Sequence, residues 1–183
     1  MSQSFLKLDE VSDSPSIAQI CQFRARVWNA TGKLSADAFG AEGWRDPIDS
    51  HCQHWVIRNR DAQIVAAGRL SIHASLDDVH QAEEYQRHGV KLPGPVASPD
   101  RVVVCPSMQG EGLGKRILDV QDEAAFSQGA QHAVRQASQG MVRLLRRRGW
   151  EILGRASNDA RFPGEEFQVA IYTFCSDWLQ KTA

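Results

Sequence analysis

The chain has 183 residues, a formal charge of −1, 42% apolar and 23% charged side chains, the balance of a globular protein and not of a disordered or fibrous one. So small a charge gives no overall attraction for DNA, RNA or anionic membranes, which excludes nucleic acid as a general partner. No run approaches the ~20 apolar residues of a membrane span, and MSQSFLKLDE lacks a charged leader followed by an apolar block, so neither membrane insertion nor secretion is expected. Cys21, Cys52, Cys105 and Cys175 lie far apart and form no CxxC pair, the pattern of free thiols in a reducing compartment. The expectation is one cytoplasmic domain spanning 1–183.

Ser14-Pro15 reads as an N-cap followed by proline at the first helical position, and Ile17, Ile20, Cys21, Val27 and Trp28 then recur at helical spacing through residue 29. The stretch GKLSADAFGAEGWRDPIDSHCQ is punctuated by glycine and is expected to be a loop with one short helix. HWVIRN and QIVAAGRLSIH read as an antiparallel hairpin turning at Asn59-Arg60-Asp61. Ser75 with Asp78 resembles a capping box, opening a short helix that ends near Gly89 and turns Leu76, Val79 and Ala82 inward. The three prolines of VKLPGPVASPD predict a loop. RVVVC does not alternate and reads as a strand covered on both faces.

Beyond it, Leu113, Ile117, Val120 and Ala124 define an amphipathic helix to about Gln128. QHAVRQA is a short strand. Ser138 then caps a helix with Met141, Val142, Leu144 and Leu145 on its apolar side, Arg143, Arg146, Arg147 and Arg148 on its wet side, and Gly149 at its end. WEILGR and FQVAIYTFC are the last two strands. There is no internal repeat and no low-complexity tract.

The chemistry concentrates in RVVVCPSMQGEGLGKRIL. A strand passes into Gln109-Gly110-Glu111-Gly112-Leu113-Gly114-Lys115, where a helix begins. Glycines let a ligand approach the chain closely, the first amides of a helix have no internal partner, and the helix dipole favours an anion there. A nucleotide-hydrolysing P-loop needs GxxxxGK followed by Ser or Thr, but Lys115 is followed by Arg116. The GxGxxG spacing and strand order of a dinucleotide fold are also missing.

The pattern Gln109-x-x-Gly112-x-Gly114 after a buried strand resembles the pyrophosphate loop of the GNAT superfamily of acyl-CoA-dependent N-acyltransferases. The order of elements from residue 14 to 174 matches that family, and RRRGWEILGR is similar to its segment between the second cofactor helix and the sixth strand. FRARVW, AAGRLSIH and RVVVCPSMQGEGLGKRIL are similar to the ElaA-like branch. The resemblance implies an α+β, three-layer GNAT fold. Its central sheet would be mixed and mostly antiparallel, with six to seven strands and about four flanking helices, and would splay in a V at the motif strand 101–105.

The resemblance also implies a cofactor site for acetyl-CoA. The main chain of Val102, Val103 and Val104 would pair with the pantetheine arm. The amides of Gln109, Gly110, Glu111, Gly112, Leu113, Gly114 and Lys115 would take the pyrophosphate, and Ser138, Met141 and Val142 would lie along the arm. The implied reaction is direct attack of a primary amine, on a small molecule or a polypeptide, upon the thioester. An amine of pKa about 10 is mostly protonated at neutral pH, so such a site needs a base or a water path, then an acid for the thiolate. Family members place a tyrosine as that acid where this chain has Leu145.

Asp100 and His73 are the candidate bases, set against a solvated strand-end carboxylate and a hydrogen-bonded structural histidine. Glu165 and Glu166, at the final hairpin, are candidates to bind a cationic acceptor, set against exposed turn residues. Tyr172 in an apolar strand reads as core, and Cys105 as a buried thiol with no histidine partner. HCQH at 51–54 has only loose metal spacing, so no metal is expected. The family joins the two strands around residues 74–99 by a short turn; this insertion is expected to shape the acceptor cleft or form a homodimer contact. Two other functions fit the residues: a non-catalytic acyl-CoA-binding module, which Leu145 favours, and a longer-chain N-acyltransferase, since FRARVW also resembles acyl-homoserine lactone synthases.

Overall fold

The computed structural model describes residues 6–176 and Trp178; the first five residues of MSQSFLKLDE lie outside that range. One seven-stranded sheet runs β1-β2-β3-β4-β5-β7-β6. In chain order these are β1 (Lys7–Val11), β2 (Gln53–Arg58), β3 (Ile64–His73), β4 (Val96–Val104), β5 (His132–Ser138), β6 (Glu151–Arg155) and β7 (Phe167–Thr173). The helices are α1 (Ser14–Asn29), α2 (Ala82–Arg87), α3 (Leu113–Ser127) and α4 (Gln139–Arg147). Every pairing is antiparallel except β4 with β5. This is the expected α+β architecture: a mixed sheet between two helical layers.

Strand alternation decides the layers. Ala97, Ala133 and Ala170 pack with Leu113, Ile117, Leu118 and Leu145 of α3 and α4. Their neighbours Val96, Val134 and Val169 pack with Tyr85 of α2 on the opposite face, where Ile20, Phe23 and Val27 of α1 also cover Ala67 and Val103. The alanines under α3 and α4 let those helices sit close to the sheet.

Four local expectations need correction. The cap of α1 is Asp13, whose carboxylate accepts from the Ser16 amide at 2.8 Å, and Ser14 is already helical. The segment after β3 is a 3-10 turn at Leu76–Asp78 and then α2, separated by Gln81 in the left-handed region at φ 60°. The Ser75 hydroxyl donates to the Asp78 carboxylate and accepts from no amide of the turn. The motif strand begins at Val96 rather than Arg101, so VASPD is strand despite Pro99. Pro99 lies just past the last parallel pair, Ala97 with Ala133, where no neighbour on that side asks for an N–H. Strand β1 had no counterpart in the sequence reading, because its alternation is carried by five residues that are mostly charged or half-buried.

The insertion, now residues 74–95, is built into the core. Leu76, Val79, Tyr85 and Val90 are buried against the sheet. Glu84 accepts from the Ser157 amide and from Arg87, both at 2.8 Å, which ties the insertion to the chain beyond β6.

Two irregularities shape the sheet's centre. Strand β5 pairs with β4 only at Val96–His132 and Ala97–Ala133, then diverges, leaving a fork between Val102–Val104 and Gln136–Ser138. On its other side β4 stays paired with β3, but Ala67 meets Val103 while Arg69 meets Asp100. Gly68 therefore faces two residues, Arg101 and Val102, and β4 carries a β-bulge. Arg101 holds φ 53° there, a left-handed conformation that costs a non-glycine residue about 1–3 kcal/mol.

Gly68 admits α3 over this bulge. A Cβ at residue 68 would come within 2.3 Å of Ile117 Cγ2 and 3.0 Å of Gln121 Nε2. Gln121, fully buried, donates to the carbonyls of Arg69 at 2.6 Å and Asp100 at 3.1 Å, bridging the two strands. Gly68→Ala should therefore destabilise the protein by about 1–3 kcal/mol through overpacking, read as a lower urea midpoint with unchanged slope.

Candidate active site

The bulge is held by buried charges that sequence reading did not connect. Arg69, 1% exposed, grips both oxygens of Asp100 at 2.8 and 2.6 Å and reaches Asp46 and Asp49 at 2.9 Å each. Arg24 donates to Asp49 at 2.9 Å and stands 3.4 Å from His54 Nδ1. His54 Nε2 lies 2.8 Å from the Asp49 carbonyl, so that nitrogen carries the proton and Nδ1 accepts. Burial holds the ring below its ordinary pKa, and it stays neutral. Arg101 donates through Nε to Asp46 at 2.7 Å and lies over the Trp44 ring, 4.5 Å from its centroid. Three guanidiniums thus balance three carboxylates, as burial demands.

Burial pushes the Asp100 carboxyl up, but Arg69 and Arg101 more than reverse this and leave it below the ordinary carboxylate range. So held, it is a weak proton acceptor, and its role is to fix the bulge. His73 pairs with Val96 at the closed end of the sheet, about 20 Å along β4 from Val102 at the usual strand rise. It bonds to Ser71 Oγ at 2.8 Å and is not brought to the fork. Glu165 receives Lys33 at 2.6 Å and the Gln139 amide at 3.2 Å. It thereby supplies the α4 cap that the Ser138 side chain does not make. Glu166 pairs with Arg155 at 3.0 Å, half exposed.

The remaining candidates divide in the same way. Leu145 is fully buried on α4, so the position to which the sequence resemblance assigns the family's acid faces the core. Tyr172 packs on Trp150 and Phe174. Cys105 is partly exposed rather than buried, and its thiol lies 3.3 Å from the Ser107 hydroxyl. Arg148 leaves the wet side of α4 and binds Asp119 and Asp122 of α3 at 2.7 and 2.6 Å. Among the described residues no group of three His, Cys, Asp or Glu side chains is arranged for a metal.

The fork encloses a cavity of about 50 Å³ lined by Val102, Val103, Ser138 and Met141 among others. Val142 turns into the core instead, and Val104 packs toward Gly114. Beyond Ala97 the inner edge of β4 has no strand partner, which leaves main-chain groups for a ligand. At the top of β4, Gly110 and Gly112 adopt φ 86° and 77°, and open space lies where their Cβ atoms would be. The Gln109 amide is spent on the Pro106 carbonyl. From Gly110 to Lys115, however, no amide has an acceptor among the described residues. Consecutive free N–H groups at the start of a fifteen-residue helix suit a phosphate.

The family model described as Acetyltransferase (GNAT) family matches residues 19–150. A sequence comparison with curated proteins returns no match. Among solved structures, the polyamine N-acetyltransferase of Drosophila melanogaster, an enzyme that forms N-acetylagmatine, superposes with TM-score 0.65 at 16% identity, over 93% of this chain and 100% of that one. ElaA of Escherichia coli superposes with TM-score 0.60 at 16% identity, over 91% and 99%. TofI, solved with an inhibitor and MTA, superposes with TM-score 0.65 at 17% identity, over 98% and 95%. At these identities the likeness is one of fold.

Two outcomes are expected. Gly112→Asp puts a carboxylate into the open space above the free amides, and calorimetry should show CoA affinity reduced by more than about tenfold with the fold intact, since aspartate tolerates the left-handed region. Asp46, Asp49 and Asp100 all lie below their ordinary values. Their stabilisation is complete above about pH 4 and is lost as pH falls through the folded-state values. Urea midpoints should hold level down to that point and then drop. Arg69→Met should cost about 3–5 kcal/mol at neutral pH. It should also reverse the slope between about pH 6 and pH 4, because protonation relieves an Asp100 left without its ion pair.

Proposed function

The chain belongs to the GNAT acetyltransferase family, and from that premise we propose that it moves an acetyl group from acetyl-CoA to a primary amine by direct attack. The observation that carries the donor half is the run of free amides from Gly110 to Lys115 beneath open glycines, which suits a diphosphate. Val102–Val104 offer an unpaired strand edge for an extended amide-bearing arm, as an added strand would use. Ser138 and Met141 face it across the fork. Acetyl-CoA, once bound, supplies the activated acyl carbon. In the transfer the amine nitrogen bonds to that carbon, the C–S bond breaks, and the proton given up by nitrogen is returned to the sulfur.

The space between the strands is small, about 50 Å³, and the buried Arg135 lines it, which supports a short acyl group over a longer chain. With Asp100 held by Arg69 and Leu145 buried, no side chain at the fork is an evident base or acid. The amine then loses its proton to water, helped by guanidiniums that disfavour an ammonium beside them. Structurally similar proteins include a polyamine N-acetyltransferase and an arylalkylamine N-acetyltransferase-like protein, which supports a small-molecule amine as the acceptor. The four cysteines are free, and among the described residues no helix is long and apolar enough to cross a membrane.

Release of free CoA thiol from acetyl-CoA with a mixed amine panel checks the proposal. Turnover well above the amine-free hydrolysis rate is expected. Tight CoA binding with no amine-dependent release would instead identify a binding module.

A further inference from the structure

The geometry points to an acceptor that carries a carboxylate next to its amine, a free α-amino acid, with Arg101 and Arg135 as the groups that recognise it; this deepens the acetyltransferase reading and rests on it. The fork cavity is lined by hydrogen-bond donors that have nothing to donate to. Arg101 spends only its Nε, on Asp46. Both of its terminal nitrogens are without an acceptor among the described residues, although the guanidinium lines the cavity. Arg135, 2% exposed, lines the cavity from β5 with Nε and Nη1 unpartnered. Trp44, 4% exposed, adds an unpartnered indole N–H. No carboxylate is among the residues that line this space.

Buried donors left without acceptors are costly, by about 1–3 kcal/mol each and more for charged groups. Arg135 and Trp44 carry that cost here, and the partly exposed guanidinium of Arg101 joins them from the other face of the sheet. Arg135 belongs to the α3 and α4 side, with its guanidinium over Trp150, while Arg101 is stacked on Trp44 beside α1. Arg101 reaches its place only because the bulge holds it at φ 53°; an ordinary β conformation would aim the side chain elsewhere. The chain therefore places backbone strain and two arginines with open N–H groups along one cavity. What satisfies such a set is a small group with several acceptor oxygens and a negative charge, matched to the planar fork of arginine.

The transferred acetyl group has a single carbonyl oxygen and no charge. A carboxylate one carbon from the attacking nitrogen does have both, and Arg101 and Arg135 both line the cavity. The side chain of such an acceptor would remain outside, toward the aromatic faces of Trp28 and Phe167 that border the same space. A polyamine acceptor would instead bring positive charge toward Arg135 and the terminal nitrogens of Arg101.

The test compares standard α-amino acids, each against its carboxamide and its decarboxylated amine, as acceptors for acetyl-CoA, with calorimetry of the same compounds on CoA-saturated protein. The best amino acid should exceed its own carboxamide by about ten- to hundredfold in kcat/KM and in affinity. In Arg101→Gln that ratio should collapse toward one, while Arg101→Lys should restore part of it. Arg135→Gln should lower the ratio as well. Amines and carboxamides turned over as well as the acids would overturn the inference and leave the acetyltransferase reading standing. Equal losses for acid and carboxamide in Arg101→Gln would also overturn it, since that is the mark of a purely structural residue. Should no amine of any kind be acetylated, the enzyme reading falls, and the calorimetric preference for the acid over its carboxamide then decides the carboxylate site by itself.

Discussion

A guanidinium sealed from water has to be surrounded by acceptors, and the centre of this protein is organised around that requirement at Arg69. Its two-pronged grip on Asp100 and its contacts with Asp46 and Asp49 tie β3 to β4 and both to the loop before β2. Breaking such a cluster by removing one member strands the others, so its parts constrain one another more tightly than apolar packing would. The result is a fixed position for the β4 bulge, with Arg101 turned left-handed beside it and Gln121 of α3 bridging the two strands from above.

The fork follows from that fixed point. Strand β4 is held on its β3 side by charge and by ladder bonds, while β5 is held by β7 along its whole length, from His132 to Ser138. Only two residue pairs join the two halves of the sheet. The sheet therefore behaves as two sub-sheets sharing a short parallel seam. The insertion between β3 and β4 packs across the seam from one side, through Tyr85 and Val90 against Val96 and Val134, and closes the narrow end of the V. Helices α3 and α4 approach from the other side, joined by Arg148 to Asp119 and Asp122.

The periodic parts of this architecture were legible in the sequence. α3 is amphipathic over fifteen residues, β3 is a long apolar run, and the glycines at 110 and 112 stand where the chain takes positive φ. β1 was illegible because an edge strand of five residues with no buried position carries almost no pattern. β4 was cut short because Pro99 argues against a strand unless the neighbour has already left, which only the tertiary structure reveals. The charge cluster was missed for a related reason. The neighbours Asp46 and Asp49 lie far along the chain from Arg69 and from Asp100, and each aspartate alone reads as a surface residue. The available signal was a charged residue inside an apolar strand, Arg69 in IVAAGRLSIH and Arg135 in HAVRQAS, since such a residue must find a partner or a ligand.

Most sheets confine unpaired main chain to their rims, where short, charged strands discourage another chain from docking. This one also carries a bare edge at its middle, along β4 beyond Ala97. No rim device can guard it, and the guards are steric: two helices locked together by an arginine, and a gap too narrow for a second polypeptide. Access to that inner edge thus depends on how firmly α3 and α4 stay clasped, and loosening Arg148 would open a main-chain seam far from either rim.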